Sequence, residues 1–291
     1  MSGYRGSDPA SASAYKKAGH KNEDAFGQLI GGSNSELPPQ GKTDWIDNKG
    51  LKYSVKRGFN PETQRWTKNW QVFLYGISRL KSDAGFIHLG KLGKILIETL
   101  SAFPSNSEAY GRDKQIVKEC LISLPKEIKG NERVSLVASS VGMSNVYLSS
   151  KNKLKDITGK LLLEFSDQGR RAEFFRKSFF NGTEVDFLVV NENGKFLIYP
   201  REDVVEILSR ELEPHNSKAG GRSDDLNISG QKLLFKLKTN IGELEVRNEP
   251  SHYRELKLNF RARATCNLLK AHTHETSKKG LLYWRAINEH G

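Results

Sequence analysis

Near the start of the chain stand Glu23, Asp44 and Lys56, side chains of the types that metal-assisted phosphodiester hydrolysis needs. That reaction requires a cation to activate water and to stabilise charge on the leaving oxygen, so carboxylates must meet, usually beside a lysine. In sequence the three are scattered. Bringing them together is a task for local structure, and the segment TDWIDNKGLKYSVK is suited to it.

Two short strands joined by a turn containing Asp47, Asn48 and Gly50 are expected there. With a loop spanning residues 47–51 and Gly50 at positive φ, Asp44 sits opposite Ser54 on the neighbouring strand. Strand alternation then puts Lys56 on the same face. A loop one residue shorter would turn Asp44 to the other face, so the expectation is a definite statement of register. In this arrangement Asp44 bridges to the metal, the backbone carbonyl of Val55 completes the coordination, and Lys56 orients or deprotonates the attacking water. Glu23 adds a second carboxylate from a short helix over KNEDAFGQLI, which carries Ala25, Phe26, Leu29 and Ile30 on one side and is stopped by Gly31-Gly32.

The order helix-Glu, strand-Asp, strand-x-x-Lys resembles the PD-(D/E)XK nucleases, with Asp44 followed by Ser54-Val55-Lys56 as the motif. Two departures are plain. Ser54 stands where the family usually has Asp or Glu, which makes Glu23 and Glu62 candidates for the missing carboxylate, and Thr43 replaces the proline of the family's name. A second stretch, VDFLVVNENGKFLIYPREDVVEILSRELEPHNSKAGGRS, over roughly residues 185–225, is similar to the HhaI-like type II restriction endonucleases. The resemblance implies sequence-specific, magnesium-dependent cleavage of double-stranded DNA, and cutting both strands of a symmetric site implies a homodimer.

TQRWTKNWQVFLYGISRL has apolar residues at helical spacing and is expected to be a helix with Trp66 and Trp70 in the core. KLGKILIETL and KQIVKECLISL suggest two more helices. From about residue 131 the texture turns to strands: RVSLVASS, NVYLSS, KLLLEF, DFLVV, KFLIYP, KLLFKLKT, GELEVR and LKLNFRARA, with one helix over residues 201–212. His20 is read as a helix-entry residue. The polar stretch AHTHETSKKG reads as an exposed loop rather than a metal site or a His-Asn-His nuclease motif. Asp186 occupies a place in a second hairpin like that of Asp44, but no lysine follows at the required spacing.

The formal charge of +12, from 46 basic and 34 acidic residues, favours a polyanionic partner. Lys52, Arg57, Arg65, Lys68, Arg79 and Lys81 flank the expected site, and Lys218, Arg222 and Asn227 in a Gly-rich loop, with Arg261 and Arg263 on a late strand, are candidates for DNA contacts. The two cysteines, Cys120 and Cys266, have no metal-ligand spacing. No apolar run approaches the roughly 20 residues of a membrane span. Absence of a GxxxxGK[ST] loop argues against a nucleotide cofactor, and absence of GxSxG against serine hydrolysis.

Together these observations lead to an α/β fold in three parts: a flexible basic arm over residues 1–18, a nuclease core over residues 19–130 with a mixed sheet flanked by helices, and a β-rich DNA-recognition region over residues 131–291. The expected setting is cytoplasmic and prokaryotic. The competing expectations are a structure-selective nuclease of the junction-resolvase type, sharing the same three residues, and a non-catalytic DNA-binding protein in which Asp44 and Ser54 merely cap a turn.

Overall fold

The computed structural model describes residues 9–34, 37, 41–60, 63–142, 144–222, 225–228, 230–249, 252–278 and 281–286. The protein is a mixed α/β chain whose contacts divide it into two compact units. Unit 1 joins residues 1–70, 175–208 and 261–291, and unit 2 joins residues 71–174 and 209–260. The division expected at residue 130 is therefore not the one the chain makes. Strands from three distant segments build one sheet, and no local property of a sequence announces such a return.

Unit 1 begins with α1 (Pro9–Ile30), a 22-residue helix. Residues 9–18, expected to be a flexible arm, are thus helical, continuous with the helix foreseen over residues 21–30; their Ala-rich composition favours it. The helix stops where expected, at Gly31 and Gly32, with φ of 75° and 97°. Next come β1 (Trp45–Ile46) and β2 (Lys52–Asn60), paired antiparallel with Trp45 opposite Tyr53 and Ile46 opposite Lys52. The loop between them is residues 47–51, and Gly50 takes φ 81°. Asp47 holds it closed: its Oδ1 accepts from the Lys49 and Leu51 amides, and its Oδ2 accepts from the Tyr53 hydroxyl at 3.0 Å.

The segment 63–80 is not a helix. It forms β3 (Arg65–Trp66), β4 (Asn69–Gly76) and only then the short α2 (Ile77–Ser82). Trp, Val, Phe and Tyr dominate residues 70–75, and their strand preference prevails over the accidental helical spacing. Trp66 packs edge-on to Phe59, while Trp70 is buried and donates to the Arg57 carbonyl at 2.8 Å.

The unit 1 sheet is completed by β5 (Phe187–Glu192), β6 (Lys195–Pro200), β13 (Thr273–Lys278) and β14 (Leu281–Ala286) in the order β1-β2-β5-β6-β14-β13. β2 runs parallel to β5 and β6 parallel to β14; the other neighbours are antiparallel, so the sheet is mixed. A two-residue turn, Asn193-Gly194, with φ of 56° and 82°, links β5 to β6. Residues 273–278, expected as an exposed loop, are strand β13, begun by the buried Thr273.

α1 covers one face of this sheet. Phe26 packs with Tyr53, Val55, Val189, Phe196 and Ile198, its ring 5.2 Å from that of Tyr53. α9 (Arg201–Glu211) follows β6 as expected, and α10 (Ala262–Ala271) packs against β2 and brings Cys266 to the Tyr199 hydroxyl. Strand alternation puts Tyr199 opposite Ile198, so the sheet is buried on both faces. This explains why Leu188, Val189 and Val190 are all fully enclosed.

In unit 2, α3 (Ala84–His88), α4 (Lys91–Ser101), α5 (Ser107–Ser123), α6 (Gly130–Val141), α7 (Val146–Ser166) and most of α8 (Gln168–Phe180) accompany a sheet of order β4-β12-β11-β10-β7. Its strands are β7 (Glu213–Asn216), β10 (Leu233–Lys236), β11 (Asn240–Arg247) and β12 (Glu255–Arg261), with a separate hairpin β8 (Gly220–Arg222) and β9 (Asp225–Asn227). α4 and α5 lie where their apolar runs placed them.

Residues 131–166, expected as strands, are α6 and α7. In α7 the buried residues Leu154, Ile157, Leu161 and Phe165 keep helical spacing, while Leu163, inside the run KLLLEF, is 75% exposed. Side-chain oxygens of Asn106 and Asn145 cap α5 and α7. The β-rich character begins only after residue 180. Among the described residues no helix is long and apolar enough to cross a membrane.

Candidate functional site

Asp44 sits just before β1, at the edge of the unit 1 sheet, and β1 is only two residues long. Beyond its end the Asp44 carboxylate takes over the neighbouring strand's role. Its Oδ2 accepts from the Val55 amide at 2.7 Å, the Ser54 hydroxyl at 3.1 Å and the Lys56 ammonium at 3.3 Å. The expected juxtaposition of Asp44, Ser54 and Lys56 is present, because turn chemistry set the register it required. The N–H and C=O of one strand residue point to the same side. The Val55 carbonyl therefore faces the Asp44 edge as well.

Glu23, on α1, lies near enough for the charges of Asp44 and Lys56 to act on its carboxyl. That helix can approach closely because Gly27 lies against the Trp45 indole, where a Cβ would stand 2.1 Å from the ring, and Gly32 against the Ile46 carbonyl. The Trp45 indole N–H donates to the Gly31 carbonyl at 2.8 Å, and Ser33 bridges to Ile46. Farther along, the Asn22 amide oxygen accepts from Asn191 at 2.6 Å, which fixes α1 to β5.

Burial, and after it the charge of Asp44, raise the Glu23 carboxyl above its ordinary value of 4.5; the His20 hydrogen bond and charge, and then Lys56, pull the other way. His20, expected at a helix entry, lies within α1 and meets Glu23 Oε2 at 3.0 Å. The site is half-buried: the side chains of Glu23, Asp44 and Lys56 keep 19%, 24% and 28% of their exposure. Among the described residues no group of three or more His, Cys, Asp or Glu is placed to hold a metal. A cation here would rest on two carboxylates and backbone oxygen. Glu62, the other carboxylate considered, lies outside the described residues.

Sequence reasoning missed Glu184. Its Oε1 accepts from the Lys42 amide at 3.0 Å, the Thr43 amide at 3.3 Å and the Thr43 hydroxyl at 3.2 Å, and its Oε2 from the Asn181 side chain. Burial opposes ionisation, yet these hydrogen bonds hold the carboxyl below its ordinary value. At 141 residues from Thr43, with no local motif, it gave no signal. Asp186 is a structural residue, accepting from the Lys52 amide at 3.0 Å and lying 3.5 Å from Arg201.

The side chains expected from the sequence to contact DNA divide between the units. Arg57, half-buried, and the exposed Lys68, Arg261 and Arg263 belong to unit 1; the exposed Lys218 belongs to unit 2, as do Arg222 and Asn227, whose side chains lie outside the described part. Arg261 ends β12, but Arg263 falls in the first turn of α10 rather than on a strand. Arg79 and Lys81, near the site in sequence, are on α2 in unit 2, with Arg79 over the Tyr75 ring at 4.1 Å.

Fold and site together define a two-unit α/β protein with a carboxylate–lysine cluster at the edge of a mixed sheet. No known protein family, curated protein or solved structure matches the chain.

Proposed function

We propose that the protein is a magnesium-dependent endonuclease that cleaves double-stranded DNA by phosphodiester hydrolysis, of the type II restriction class and acting as a homodimer. The observation that carries this reading is the pairing of Asp44 with Lys56, whose Nζ lies 3.3 Å from Asp44 Oδ2, with Glu23 within reach of both charges. Two carboxylates and the Val55 carbonyl form an all-oxygen donor set of the kind magnesium prefers. The half-buried Glu23 and Asp44 repel each other, a cost that a divalent cation would relieve. When bound, the metal supplies the charge that activates water and stabilises the leaving oxygen.

The chain's own residues do the rest. Asp44, fixed by three donors, is a rigid ligand. Lys56 orients the attacking water and offers positive charge to the scissile phosphate. Ser54 contributes no carboxylate; its hydroxyl fixes the Asp44 rotamer, and Glu23 supplies the second acidic group. The basic side chains Arg57 and Lys68 contact the DNA backbone, and Arg261 and Arg263 reach base edges in a groove.

The test is digestion of a sequenced phage DNA, with and without magnesium, by the wild type, Asp44→Ala and Lys56→Ala. Discrete magnesium-dependent fragments are expected, with cleavage reduced by about 10²- to 10⁴-fold in Lys56→Ala and at least as much in Asp44→Ala. Unchanged cutting by the variants would place the chemistry elsewhere. Cutting confined to branched DNA would favour a junction resolvase, and binding without cutting of any substrate a non-catalytic binder.

A further inference from the structure

We infer that Glu184 is a positioning residue for Asp44, acting through Lys42 and Thr43; its catalytic consequence rests on the nuclease reading above. On one side Asp44 is held by its own amide, which donates to the Tyr53 carbonyl at 2.8 Å, and by the two-residue β1, a short hold for a side chain that must keep one rotamer. On its other side the chain is held by the single Glu184 oxygen that takes three donors, two from Thr43 and one from Lys42. Thr43, adjacent to Asp44, is 7% exposed, so these donors have little water to turn to.

Glu184 is itself immobilised. It lies in the turn after α8, where Asn181 and Gly182 adopt φ of 50° and 76° and the Val185 amide bonds the Phe180 carbonyl at 3.1 Å. Arg201 grips the same turn through the Thr183 and Val185 carbonyls at 3.2 and 2.7 Å. Its second oxygen receives the Asn181 amide, whose own oxygen is taken by Lys177. A carboxylate is required there: glutamine would set one NH₂ against another, and Asn181 cannot turn over without losing Lys177.

The effect on Asp44 has a remote reporter. The Val55 amide bonds Asp44 Oδ2 at 2.7 Å and is not among the groups held by Glu184. Amide hydrogen exchange of the full chain, wild type beside Glu184→Gln, should show Lys42, Thr43 and Val55 losing protection about tenfold or more, with Val189 unchanged. Asp44→Ala marks the full loss at Val55. Thr43→Val removes one donor of three and should give a smaller loss at the same amides, which keeps the test open if Glu184→Gln does not fold. Loss confined to Lys42 and Thr43, with Val55 protected as in the wild type, would overturn the inference. In the cleavage assay, Glu184→Gln should raise the magnesium concentration for half-maximal rate by about tenfold, while DNA affinity without metal stays within twofold. A positive exchange result with a wild type that cuts nothing would sink the nuclease reading alone.

Discussion

At the scale of single residues, the site combines groups whose stability and function pull in opposite directions. Glu23 is held partly buried near Asp44, and its carboxyl titrates above the ordinary value. An acid whose pKa is raised by folding destabilises the native state wherever the unfolded chain is ionised, so the cost is present at neutral pH. It vanishes as pH falls below the ordinary carboxylate range, where both states are protonated. Glu23→Gln should therefore melt above the wild type at pH 7.5, with the difference disappearing near pH 4. The lost contact with His20, which is 58% exposed, subtracts little from this gain. Magnesium should raise the melting temperature of the wild type more than that of the variant. A variant less stable than the wild type at neutral pH would mean that Glu23 is a structural partner of His20 and Lys56 rather than a strained acid awaiting a cation.

At the scale of elements, the site depends on how closely α1 approaches β1. Gly19 and Gly27 both lie in α1, but only Gly27 has an indole behind it; a Cβ at Gly19 meets nothing nearer than a Glu23 oxygen at 3.8 Å. Helix propensity alone would make both Gly→Ala changes favourable by roughly 0.5–1 kcal/mol. At Gly27 the clash should outweigh that gain, since overpacking costs about 1–3 kcal/mol. Calorimetry should show Gly27→Ala melting several degrees lower, with cleavage impaired as Glu23 retreats from Asp44, and Gly19→Ala unchanged or slightly more stable. Equal behaviour of the two would refute a close α1–β1 seat. The same local physics explains what was legible. The β1–β2 register followed from Asp47 and Gly50, and the end of α1 from two glycines, because each is decided within a few residues. The segments that form α6 and α7 resemble strands in the sequence because a run such as KLLLEF carries no period of its own within six residues. Glu184 was invisible because the Thr43 and Lys42 groups it holds lie 141 and 142 residues away.

At the scale of the whole molecule, the question is how the charge excess is used. The +12 divides evenly, six in each unit, so neither unit is the basic one by composition. Binding to duplex DNA in the absence of magnesium should weaken steeply with salt, since each neutralised phosphate adds about −0.9 to the log–log slope. With six to ten contacts, affinity would fall by roughly 10³- to 10⁵-fold between 50 and 200 mM salt. Single substitutions then assign the contacts, because losing one phosphate partner lowers the slope by about one. Arg57→Ala and Lys68→Ala in unit 1 are expected to do so, and Lys218→Ala in unit 2 as well if the Gly-rich segment serves recognition. A slope that responds to the unit 1 changes and ignores Lys218 would confine the DNA to the unit that carries Asp44. Sequence preference would then have to come from Arg261 and Arg263 at the start of α10, and exchanging them for lysine, which lacks the planar fork that reads guanine, should relax it.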